Sequence, residues 1–79
     1  MAALTGELAT LRRTMRKEAE EPSHDKAVAE IGAAEEAAQK ADGPNVLKHL
    51  KGTGKWALEI ASKIGVNLAT EAIKKSLGS

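Results

Sequence analysis

The chain has 79 residues, no cysteine and a net charge of +1. A chain this short has room for one domain and one modest core, because folding removes only about 60–65% of its unfolded surface from water. Disulfides and thiolate metal ligands are excluded, and no apolar run approaches the roughly 20 residues that a membrane span needs.

The apolar residues are fifteen Ala, eight Leu, four Ile, three Val, two Met and one Trp, with no Phe or Tyr. Alanine is the best helix former, proline occurs only twice, and β-branched residues never run together. An all-α fold follows. The expectation is a small antiparallel three-helix bundle, with helices over about 3–20, 23–42 and 44–77, in a single domain covering 1–79.

In the first segment Leu4, Leu8, Leu11 and Met15 are spaced four, three and four apart and form one helical stripe. Thr5 is a candidate cap. Arg12, Arg13, Arg16 and Lys17 suit the far end of the helix dipole, whereas Glu18, Glu20 and Glu21 do not, so the last turn should fray. Pro22 stops the helix. With charges at Glu7, Arg12 and Arg13 and no apolar run, residues 1–15 do not read as a signal peptide. The expected location is cytoplasmic.

Ser23 is the candidate cap of the second helix, with Asp25 in its first turn. Gly43 is the candidate left-handed residue at its end, and Pro44 the first residue of the next helix, capped by Gly43 or Asp42. Between Ser23 and Asp42 only Val28 and Ile31 are large and apolar. The row Ala29, Ala33, Ala37, Ala41 must therefore pack closely against something. A matching row, Ala57, Ala61, Gly65, Ala69, lies in the third segment, and small residues at such spacing let two backbones approach.

The third segment holds most of the apolar mass. Leu47, Leu50, Gly54, Leu58, Ala61, Gly65, Leu68 and Ala72 continue in steps of three and four. One long helix is expected, with a kink at 52–54 as the alternative geometry. Trp56, Ile60, Ile64, Ile73 and Leu77 among lysines make this helix cationic and amphipathic, as interfacial helices are. Charge is segregated accordingly. Residues 1–43 carry six Lys/Arg against nine Asp/Glu, and residues 44–79 six Lys against two Glu.

No catalytic constellation emerges. Gly52-Thr53-Gly54-Lys55 looks like the tail of a phosphate-binding loop, but His49 stands where the first glycine belongs and Trp56 where Ser or Thr would hold magnesium. Neither His24 nor His49 has a His, Cys or carboxylate three or four residues further on, so no metal is expected. One aromatic ring and six lysines without an arginine in the basic half argue against nucleic acid. The expectation is a non-enzyme with no cofactor and no small-molecule substrate. It would bind itself or another protein, with Leu4, Leu8, Leu11, Met15, Leu47, Leu50, Trp56, Leu58, Ala61, Gly65 and Leu68 as its helix-packing or partner-facing residues. A membrane-surface role for the third helix is the alternative.

The stretch AEEAAQKAD followed by VLKHLKGTGKWALEIASKIGVNLA resembles, over residues 27–69, the Ala-rich helical C-terminal modules of bacterial multidomain proteins of unknown function. That resemblance implies a bacterial fragment that followed a catalytic or signalling domain. It brings no functional residues with it.

Overall fold

A computed structural model describes residues 1–78. Among them are α1 (Ala2–Glu18), α2 (Pro22–Gln39), α3 (Gly43–Lys51), α4 (Gly54–Ile64) and α5 (Asn67–Gly78), and no strand. The all-helical expectation holds, but a bundle of three helices does not describe the chain, because the long third helix is divided into three.

The first helix turns Leu8, Leu11 and Met15 fully inward, with Leu4 packed at the edge. Thr5 is not its cap. The helix begins three residues earlier, and Thr5 Oγ1 donates to the Met1 carbonyl from within the first turns (2.9 Å). At the other end Ala19 is already extended (φ −67°, ψ 127°), two residues short of the expected boundary. Three glutamates crowd the negative end of the helix dipole there, and Pro22 holds Glu21 extended (φ −145°, ψ 161°).

Proline 22 opens α2, and Glu21 rather than Ser23 occupies the cap position; the Ser23 hydroxyl donates to the Glu21 carboxylate instead (2.9 Å). The helix ends at Gln39. The left-handed residue that closes it is Ala41 (φ +54°), not Gly43, and the Asp42 N–H reaches back to the Ala37 carbonyl (2.9 Å). Gly43 is thereby free to begin α3. Asp42 caps that helix, accepting from the Asn45 backbone N–H (3.3 Å) and side-chain amide (2.6 Å).

The pairing of small-residue rows is not formed. Ala29 and Ala41 are exposed, and α2 buries Ala27, Ile31, Ala34, Ala37 and Ala38. Because the inward face is set by Ile31, the row one step away from the expected one turns to the core. It packs chiefly on α1 and α3 and little on α4. Ala57, Ala61 and Ala69 are buried, while Gly65 is exposed.

Two breaks divide residues 43–78. At the first, the Gly52 N–H closes onto the His49 carbonyl (3.0 Å), the buried Thr53 hydroxyl donates to the Leu50 carbonyl (2.8 Å), and Gly54 takes φ +75°. At the second, Gly65 takes φ +77°, and the N–H groups of Gly65 and Val66 both reach the Ala61 carbonyl (3.1 and 3.2 Å). A left-handed residue cannot propagate an α-helix, and only glycine enters that region without penalty. Each break redirects the chain. The α5 N-terminus is then held on α1 by Glu7, whose carboxylate accepts the Ala69 N–H (2.9 Å) across 62 residues of sequence.

The core is continuous. Leu8, Leu11 and Met15 of α1 meet Ile31 of α2, Leu50 of α3, Ile60 of α4 and Ile73 of α5. The accessible surface is 4591 Å². A compact folded chain of this mass (8.3 kDa) is expected to have about 4,600 Å².

Candidate functional site

The eleven residues expected at an interaction face fall into three groups. Leu8, Leu11, Met15, Leu50 and Ala61 are core residues with no exposed surface. Leu4, Trp56 and Leu58 are partly buried and packed against that core. Leu47, Gly65 and Leu68 lie on the surface, Leu68 with half of its area exposed. Eight of the eleven therefore serve helix packing, and three remain at the surface.

What remains outside is more compact. Leu47 and Met1 are among the four large apolar side chains left exposed. With Leu4, Gly43, Pro44, Val46 and Ala72 they line an open trough of about 510 Å³ that presents no polar atom. Its walls come from the start of α1, the first turn of α3 and the middle of α5. Sequence periodicity placed Leu47 inward with Leu50, one turn away. In the structure Val46 and Leu50 point to the core, and Leu47 is turned out. Pro44 and Ala72, read as a helix start and as part of the apolar stripe, gave no sign of a site shared with Met1, because folding alone brings the three together.

A second depression of about 350 Å³ continues from the first and shares Pro44 and Leu47 with it. Lys48, Lys51, Lys75 and Ser76 complete its lining. The Ser76 hydroxyl is turned to its own helix, donating to the Ala72 carbonyl (2.9 Å). On the opposite side Met1 also borders a depression made with Ala2, Thr5, Gly6, Ala38 and Gln39. No carboxylate lines any of the three. Of the lysines on α3, α4 and α5, Lys63 and Lys74 reach glutamates (3.7 Å to Glu18, 3.6 Å to Glu71), whereas Lys48, Lys51 and Lys55 form no ion pair among the described residues.

The other chemistry-bearing side chains are engaged in structure. The His24 ring stacks on Trp56 (centroids 3.8 Å apart, planes 9° from parallel), and its Nδ1 accepts the Glu20 N–H (3.1 Å). This stack joins the first turn of α2 to α4 across 32 positions, a contact no local pattern announces. His49 Nδ1 lies 3.4 Å from Glu30, and Arg12 Nε donates to Glu35 at 2.8 Å across the α1–α2 pair. Thr53, in the loop-like Gly52–Lys55 motif, is buried with its hydroxyl committed to Leu50. Among the described residues no buried side-chain polar atom lacks a partner, and no three His, Cys, Asp or Glu side chains gather as a metal site would require. Nor is any helix long and apolar enough to cross a membrane. No protein-family model, no curated protein and no solved structure matches this chain.

Proposed function

We propose that the chain is a non-enzymatic module that binds another protein, taking the apolar face of a partner helix into the trough between α1, α3 and α5. One observation carries this reading. A fold that already closes its own core leaves a continuous, wholly apolar concavity in the open, lined by Met1, Leu4, Pro44, Leu47 and Ala72. Scattered surface leucines need no explanation, but apolar residues gathered into one concave patch mark places where something docks. Helix-in-groove binding is the mode that suits such a shape.

The membrane-surface alternative needs a long amphipathic helix. Here that helix is divided at Gly52–Gly54 and at Gly65, and Ile60 and Ile73 are consumed in the core. Trp56, which would anchor in the interface, stacks on His24 instead. These features favour the protein-binding reading.

A neutral amphipathic peptide, with Leu and Ala on one face and Gln and Ser on the other, tests it. Titrated into the isotope-labelled chain, the peptide should shift backbone resonances of Leu4, Val46, Leu47 and Ala72, and Leu47→Asp should abolish the shifts. No shift at millimolar peptide, or shifts spread evenly over all five helices, would contradict the proposal.

A further inference from the structure

We infer that the partner helix is acidic along one flank and that Lys48 and Lys51 select it. This inference rests on the reading of the trough as a helix-binding groove and adds the charge of what binds there. Lys48 and Lys51 are one helical turn apart on α3, so their ammonium groups project from the same side. Both border the depression that continues from the trough, with Lys75 across from them on α5. Neither has an ion-pair partner among the described residues.

Glu30, Asp42 and Glu71 are engaged with other groups. Glu30 lies against His49 and Gly52 on another side of α3. Asp42 is taken by Asn45, and Glu71 by Lys74. Lys48 and Lys51 therefore leave their side of the rim cationic, with no ion-pair partner among the described residues. A helix lying in the trough places its own flanking residues beside these lysines, where the apolar wall excludes part of the water and strengthens the attraction.

The same arrangement disfavours a second copy of this chain. A two-fold contact sets a surface against itself, so Lys48 and Lys51 of both copies would lie in one interface. Like charges brought together across an interface oppose docking. An acidic partner instead gains both steering and register, with two carboxylates one turn apart matched to two lysines one turn apart.

Three peptides sharing one Leu/Ala face test this, differing only in whether two flanking positions one turn apart are Glu, Gln or Lys. At low salt the Glu peptide should bind about three- to tenfold more tightly than the Gln peptide, with the Lys peptide weakest. High salt should erase most of that spread, because exposed pairs are screened. In the double variant K48E/K51E, whose melting curve should match the parent because both lysines are exposed, the order should reverse. Equal binding of the Glu and Gln peptides at low salt would overturn the inference and leave the apolar trough standing. If no peptide binds, the trough reading itself fails. If the chain instead binds vesicles of anionic phospholipid and none of the peptides, the basic rim serves a lipid surface and the proposal is overturned.

Discussion

Residues 2–39 form two long helices, whereas residues 43–78, nearly as many, form three short ones. Both regions contain glycines within their helical stretches. Gly6 and Gly32 sit inside α1 and α2 without interrupting them, while Gly52, Gly54 and Gly65 mark ends. Glycine therefore permits a break without commanding one. The second region breaks because bent pieces can each turn an apolar side chain onto the α1–α2 pair: Leu50 from α3, Ile60 from α4, Ile73 from α5. A straight helix would carry most of that stripe past the end of the core. The bends also bring α3 and α5 side by side near Met1, and that juxtaposition makes the trough.

If the five helices share one core, large-to-small changes in either region should unfold the whole molecule. Ile31→Ala and Ile73→Ala should each cost about 2–5 kcal/mol. Trp56 emission and far-ultraviolet circular dichroism should still report a single transition, as a two-state domain requires. Separate transitions would mean that the two regions are independent units.

Ala61→Leu places a larger side chain where α4 has no exposed surface. The expected loss is about 1–3 kcal/mol from overpacking, although the row pairing first inferred for Ala61 is not what buries it. A melt equal to the parent's would show that the core near Ala61 has room to relax.

The glycines give the sharpest contrast. Gly65→Ala should cost about 1–2 kcal/mol, because φ of +77° is a left-handed conformation. Gly6→Ala should instead stabilise by about 0.5–1 kcal/mol, since Gly6 is helical and a Cβ there meets nothing within 4 Å. Equal effects of the two changes in thermal melts would contradict the division of the second region at Gly65. A gain of similar size, about 1 kcal/mol, is expected for Ala41→Gly, which relieves the one positive φ at a non-glycine residue among those described (+54°).

Much of the first region is legible in sequence. The Leu4–Leu8–Leu11–Met15 stripe, the proline stop at Pro22 and the Asp42 cap all depend on neighbours within a turn or two. The second region is less so, because apolar spacing in steps of three and four passes through Gly54 and Gly65 whether or not the backbone hydrogen bonds continue. That is also why Leu47 and Leu68 read as inward residues; once the helix is cut and rotated, Val46 and Leu50 take the core and Leu47 faces out. The candidate site was barely visible for a related reason. Its lining is assembled from residues 1, 4, 44, 47 and 72, and only folding makes them neighbours. The His24–Trp56 stack and the Glu7 cap on α5 are of the same kind.

The proposed docking of a helix requires that the trough beside Leu47 be spare surface and not part of what holds the fold together. Leu47 and Leu50 lie one turn apart on the same helix and belong to the same apolar stripe, yet Leu47 is 36% exposed and Leu50 not at all. Thermal melts of Leu47→Asp and Leu50→Asp, measured against the parent, test the claim directly. Leu47→Asp should change stability by no more than about 0.5 kcal/mol, as surface substitutions do. Leu50→Asp, which buries an unpaired charge, should abolish the folded transition. A loss for Leu47→Asp as large as that for Leu50→Asp would place both residues in the core and close the trough.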